Sequence, residues 1–112
     1  MAYVPKRGDV VWITFNPQAG HEQAGRRPAV VVSPVEYNRK VGLCLLCPVT
    51  SRIKGYPFEV LPPKGHLLQG AILADQLKSL DWRARDAQYF CELEPDTVSK
   101  VLSTAALLLT ES

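Results

Sequence analysis

Two short stretches of this sequence gather most of the side chains that could do chemistry. The first is Gly20-His21-Glu22-Gln23-Ala24-Gly25-Arg26-Arg27-Pro28. It holds an imidazole, a carboxylate, a carboxamide and two guanidinium groups within seven residues, His21 to Arg27. A plain hairpin loop needs about 2–5 residues, so this one is longer and more chemically loaded than a turn requires. The second is Thr50-Ser51-Arg52-Ile53-Lys54-Gly55-Tyr56-Pro57, with two hydroxyls, two cations and an aromatic ring before its proline. Brought to one place, these groups suit a phosphate: guanidinium and ammonium neutralise it, hydroxyls donate to its oxygens, and Tyr56 offers a face on which a base can stack.

Proton transfer needs a different kind of residue. Arg27 is charged at all ordinary pH and fits stabilisation of a developing negative charge better than the role of base. Glu22 is the leading candidate to accept a proton, more so where burial raises its pKa, and His21, whose ordinary pKa is about 6.5, is the accessory candidate. Structural roles compete with each of these. Two neighbouring arginines often form a solvated patch, Glu22 can pair with either of them, and Thr50 can simply cap a turn. No dense cluster of Asp, His or Cys suggests a metal site, and there is no Walker loop or dinucleotide fingerprint. The pattern points to phosphate chemistry with no metal and no cofactor.

Composition sets the frame for those residues. The chain has 112 residues, 46% hydrophobic and 21% charged, which describes one folded domain over 1–112 and excludes a disordered one. Its net charge is only +2, but the charge is unevenly spread. Residues 1–85 carry twelve Lys/Arg against six Asp/Glu, whereas residues 86–112 carry one against five. A basic body with an acidic end suggests a surface that attracts an anion. No signal-like segment or long apolar run is present, so a cytoplasmic protein with no membrane partner is expected. Cys44 and Cys47 lie three apart in an apolar run and would face opposite sides of a strand, so they are read, with Cys91, as buried reduced thiols.

The elements that must hold the two stretches follow from periodicity. Residues 9–16 alternate Val11, Ile13 and Phe15 against Val10, Trp12 and Thr14, predicting a strand. Pro28 to Ser33 reads as a strand buried on both faces, and Leu43 to Val49 as a third. Ser33-Pro34 supplies a possible N-cap and first-position proline for a short helix over Val35–Lys40, closed by Gly42. Phe58–Leu61, Gly70–Lys78 and Ala87–Glu92 read as further strands. From Pro95 the period changes, and Val98, Val101, Leu102, Ala105, Leu108 and Leu109 form one helical stripe. The expected fold is mainly β with helices: a small barrel or strongly curled sheet, with a short inserted helix and a C-terminal amphipathic helix.

These residues carry a family resemblance. Gly8-Asp9, Gly20 to Gly25, Arg27-Pro28-Ala29-Val30-Val31, Ser33-Pro34, Tyr37-Asn38, Cys47-Pro48-Val49-Thr50, Lys54 to Val60, Leu73-Ala74-Asp75-Gln76 and Trp82-Arg83-Ala84-Arg85 together resemble the MazF/PemK-type toxins of bacterial toxin–antitoxin systems, and within them the MazF branch. The resemblance implies an SH3-like or CcdB-like barrel, a homodimer, and a metal-independent, sequence-specific endoribonuclease of single-stranded RNA. It implies attack of the ribose 2′-hydroxyl, giving 2′,3′-cyclic phosphate and 5′-hydroxyl ends. By position it implies Arg27, Thr50 and Glu22 as catalytic residues, and Gln23, Arg26, Ser51, Lys54, Tyr56 and Gln76 as RNA contacts. A MazE-like antitoxin is the implied protein partner, with DNA reached only through the toxin–antitoxin complex. The basic face around Arg26, Arg27 and Lys54 suggests that the antitoxin lays an acidic, hydrophobic segment across it. The alternative is a toxin of the same fold that does not cut RNA and binds a protein, as CcdB binds gyrase. CcdB-type toxins depend on a terminal Trp-Gly-Ile, whereas this sequence ends Leu109-Thr110-Glu111-Ser112.

Overall fold

The computed structural model describes residues 2–15 and 25–110. Its order is β1 (Asp9–Phe15), β2 (Gly25–Val31), α1 (Val35–Val41), β3 (Leu43–Thr50), β4 (Glu59–Val60), β5 (Ala71–Leu73), a 3-10 turn (Ala74–Gln76), β6 (Lys78–Asp81), β7 (Gln88–Glu92) and α2 (Pro95–Thr110). The strands hydrogen-bond in the order β4-β5-β3-β2-β1-β7, with β6 pairing β3 away from that path. All strand pairings among the described residues are antiparallel. Among the described residues the sheet does not close into the barrel that the sequence allowed, but mainly β with two helices holds.

Alternation along β1 and β2 feeds two apolar layers, one on each face. Val11, Ile13 and Phe15 join Ala29, Val31, Cys44, Leu46 and Trp82 on one side. Val10 and Val30 join Cys47, Val49, Ile72 and the α2 residues Val98 and Val101 on the other. Residues i and i+3 of a strand face opposite ways, and so Cys44 and Cys47 enter different layers, unbridged and buried. Burial pushes both thiols up to about 12, with Asp75 adding to the effect at Cys47.

Strand β3 is the hub. On one side its Leu46–Pro48 segment pairs with β2; on the other its two ends take different partners, Leu43–Leu46 pairing with β6 and Val49–Thr50 with β5. The single strand expected over Gly70–Lys78 is therefore two strands with a 3-10 turn between them. Ile72 faces Val49 and Leu80 faces Cys44, so eight steps along one chain match five along β3. The turn absorbs the excess of three, a long-range register effect that local alternation cannot reveal.

Ser33 is not the N-cap of α1 through its side chain. Pro34 holds that position, with no side-chain cap hydrogen bond. The Ser33 hydroxyl donates instead to Asn38 Oδ1 (2.5 Å) and accepts from the Leu45 N–H (2.9 Å). Asn38, fully buried, donates to the carbonyls of Pro5 (2.8 Å) and Ser33 (3.1 Å), and its own carbonyl accepts from Trp82 Nε1 (2.9 Å). This small polar network ties the N-terminal segment, α1, β3 and the turn after β6 together. Gly42 ends the helix in the left-handed region, as its position suggests.

Helix α2 covers one layer with only half of its predicted stripe. Val98 and Val101 are buried, whereas Leu108 and Leu109 are 52% and 75% exposed. A cleft of about 380 Å³ runs beneath the helix, lined by Val32, Leu45, Cys47, Leu77, Val101 and Ala105 among others. None of the described side chains singled out for chemistry lines it. No helix among the described residues is long and apolar enough to cross a membrane.

Candidate active site

Strand register, more than sequence proximity, builds the site. Across β2 and β3, Ala29 faces Pro48 and Val31 faces Leu46. Continuing that register by two residues sets Arg27 opposite Thr50, on the same face of the sheet because directly opposed residues point the same way. Both stand at the end of the layer formed by Ala29, Val31 and Leu46. Arg27 Nη1 donates to the carbonyl of Val49 at 3.4 Å, which directs the guanidinium toward the end of β3. Arg27 is half-buried and Thr50 is 7% exposed, so both are packed by the scaffold and neither waves in solvent.

The Thr50 hydroxyl oxygen accepts from the Arg52 N–H at 3.1 Å. A hydroxyl has one proton and two lone pairs. Among the described residues that bond uses only a lone pair, which leaves the O–H available for donation. By register, Arg27 and Thr50 offer a cation and a hydroxyl on one face, groups that can stabilise charge growing on a phosphoryl oxygen.

Arg26 does not join them. Adjacent residues of a strand point to opposite faces, and Arg26 donates to Thr14 Oγ1 (3.1 Å) and to the Asp86 carbonyl (2.8 Å). Its guanidinium also lies 3.7 Å from the Asp86 carboxylate. It braces the turn before β7. The consecutive arginines thus divide, one toward Thr50 and the other toward β1 and residues 85–86.

The stretch after Thr50 is exposed from Ser51 to Pro57, yet it has a defined shape. The N–H groups of Lys54 (3.1 Å), Gly55 (2.9 Å) and Tyr56 (3.3 Å) all donate to the Glu59 carboxylate. The Tyr56 hydroxyl donates to Asp75 Oδ2, and its ring meets Phe58 edge-on at 5.8 Å. Asp75 and Gln76 share the 3-10 turn, so Gln76 is carried to the same region as Tyr56. Ser51 and Lys54 present exposed side chains on this arm. Glu22, Gln23 and His21 lie outside the described residues.

Three contributors were not singled out from sequence. Glu59 and Asp75 read as polar positions on short strands, and only the folded chain brings them to the Lys54–Tyr56 arm. Gly70 read as a strand start, yet it sits against the Thr50 backbone. Its signal in the sequence was a glycine directly preceding an apolar strand, which marks close backbone approach.

The family model for the PemK-like, MazF-like toxin of type II toxin–antitoxin systems matches residues 6–109. The chain is 47% identical over 107 residues to the endoribonuclease toxin MazF of Escherichia coli K12, covering 96% of each. It is 33% identical to Escherichia coli endoribonuclease PemK, covering 94% of this chain and 82% of that one. Among solved structures it resembles MazF from Deinococcus radiodurans with a TM-score of 0.92 and 52% identity, covering 96% and 98% of the two chains. A MazE–MazF complex from the same organism matches with a TM-score of 0.88 and 51% identity, covering 99% and 100%. With nearly its whole length matched, the chain belongs to the PemK-like, MazF-like toxins of type II toxin–antitoxin systems.

Proposed function

We propose that this toxin cuts single-stranded RNA without a metal, at a site centred on Arg27 and Thr50. That it is an endoribonuclease toxin rests on its family and on relatives named endoribonucleases over nearly their whole length. The observation that supports the site is the β2–β3 register, Ala29 facing Pro48 and Val31 facing Leu46, whose continuation by two residues brings Arg27 opposite Thr50. A toxin of this fold that only binds a protein is not favoured, since the matched relatives carry the endoribonuclease name.

The reaction is a transphosphorylation. The ribose 2′-oxygen forms a bond to the adjacent phosphorus while the bond from phosphorus to the 5′-oxygen breaks. Glu22, or His21 in its place, takes the 2′-hydroxyl proton, and the departing 5′-oxygen gains one. Arg27 and the Thr50 hydroxyl stabilise the extra charge on the non-bridging oxygens. The products are a 2′,3′-cyclic phosphate and a 5′-hydroxyl. The need for a 2′-hydroxyl excludes DNA as substrate. Gln23, Ser51, Lys54, Tyr56 and Gln76 contact the RNA around the cut, and Arg26 contributes positive potential from the opposite face.

A homodimer and an antitoxin complete the reading, in a cytoplasmic setting. The uncovered leucines near the end of α2 support a second copy as partner. The solved MazE–MazF complexes of Deinococcus radiodurans support a MazE-like antitoxin, laid as an acidic, hydrophobic segment over the Arg27 and Lys54 face. Incubation with a mixed-sequence RNA in excess chelator, mapping cut sites and end groups, tests the enzymatic reading. Cleavage with cyclic phosphate ends is expected. No cleavage, or cleavage that survives both Arg27→Ala and Thr50→Ala, overturns it.

A further inference from the structure

We propose that Glu59 is a positioning residue: together with the Tyr56–Asp75 contact, its carboxylate holds the Lys54–Tyr56 arm in the shape that presents Lys54 to an RNA phosphate. The inference rests on the reading that this face binds RNA. Three successive backbone N–H groups pointing to one place form a concavity that suits an anion. Here the chain fills it with its own carboxylate, through contacts of 2.9–3.3 Å to Lys54, Gly55 and Tyr56. Glu59 can do this because its backbone is fixed: it pairs with Leu73 in β4–β5 and donates its N–H to the Tyr56 carbonyl at 3.0 Å.

The second hold is independent of the first. The Tyr56 hydroxyl reaches Asp75 on the 3-10 turn, while Asp75 Oδ1 is buried with no hydrogen-bond partner among the described residues. A carboxylate so poorly supplied with donors depends strongly on the one that Tyr56 provides. An exposed polar arm would otherwise lose conformational entropy on meeting its ligand. Two carboxylates next to a face that must attract RNA phosphates repel the substrate, and ordering the arm in advance is the compensating gain.

The test uses the full-length toxin and a single-site RNA oligonucleotide chosen from its mapped cuts. Glu59→Ala is expected to raise KM about tenfold with kcat within about twofold. Glu59→Gln, which keeps one acceptor oxygen, should recover most of that loss. Lys54→Ala should matter less in the Glu59→Ala background than in the wild type, because the arm is already misplaced. An unchanged KM in Glu59→Ala overturns the proposal. So does a lower KM, which would mean that Glu59 competes with RNA for the three N–H groups. Should Glu59→Ala fail to fold, Tyr56→Phe decides: a rise in KM of about threefold at steady kcat supports the role, and an unchanged KM overturns it. A wild-type protein that leaves RNA uncut instead sinks the ribonuclease reading, and is told apart because it fails with Glu59 intact.

Discussion

A Cβ placed on Gly70 would lie 2.4 Å from the carbonyl oxygen of Thr50. Gly70 also has φ +109, a conformation that L side chains rarely adopt. The residue leads into β5, whose Ala71 faces Thr50. The bare glycine thus lets β5 close against the Thr50 backbone at the end of β3.

Gly70→Ala is accordingly expected to destabilise the fold by about 3 kcal/mol, from backbone strain and from the displaced Thr50 carbonyl. Urea denaturation measures the stability. Single-turnover cleavage at a temperature where the variant stays folded should fall as well, since the strain is centred on Thr50, a residue proposed for the catalytic site.

Arg27→Lys is expected to reduce kcat about 100-fold or more, though it keeps the charge, because an ammonium cannot reproduce the guanidinium fork. Thr50→Val should act similarly by removing the hydroxyl at near-constant volume, whereas Thr50→Ser should retain much of the rate. Steady-state kinetics on a defined RNA checks all three. A Thr50→Val enzyme as fast as wild type would remove the hydroxyl from the mechanism.

The two consecutive arginines should separate sharply. Arg26 is committed to Thr14 and Asp86 on the opposite face, so Arg26→Ala is expected to lower cleavage by about tenfold at most, through weakened RNA attraction and a looser turn. The deficit should shrink as salt is raised, a trend that Arg27→Ala should not follow.

Asn38→Ala removes the centre of the polar network joining Pro5, Ser33 and Trp82. Ser33 and the Pro5 carbonyl lose the bonds made by the Asn38 side chain, at an expected cost of about 2–4 kcal/mol, whereas the Trp82 bond goes to the backbone carbonyl and is retained. Chemical denaturation reads this directly. The rate of cleavage by the fraction that stays folded should change little, because none of these groups reaches Arg27 or Thr50.

Alkaline pH should weaken the fold through its thiols. Burial pushes Cys44 and Cys47 up to about 12, while in the unfolded chain a thiol titrates near about 8.5. Between those values the unfolded state has released protons that the folded state retains, so stability falls as pH rises. The limiting slope is about 1.4 kcal/mol per pH unit for each thiol. Denaturation midpoints taken from pH 8 to about 10.5 under reducing conditions should decline, and Cys44→Ala should reduce the slope while lowering overall stability.

Most of the scaffold could be read directly from residue patterns. Alternation in Val10–Phe15, the apolar run from Leu43 and the stripe from Val98 to Ala105 are local signals, because side-chain direction follows from strand or helix geometry. The family resemblance proposed Arg27 and Thr50 as site residues without coordinates. The misreadings arose where a distant partner decided. Gly70–Lys78 alternates like one strand, but β3 takes it as two. Ser33 precedes a proline like an N-cap, but the buried Asn38 claims its hydroxyl. The α2 stripe is longer than the surface it covers, so Leu108 and Leu109 remain outside.

By itself, then, the sequence determined a mainly β chain, its buried thiols, the chemistry on offer in two polar stretches and the family to which that chemistry belongs. Only the tertiary structure decided that Arg27 and not Arg26 faces Thr50, that Gly70 lets β5 close against the Thr50 backbone, and that Glu59 and Asp75 shape the Lys54–Tyr56 arm. The reason is physical. Residue type and spacing fix what a side chain can do and which way it points along its own element, whereas register between strands fixes which side chain it meets.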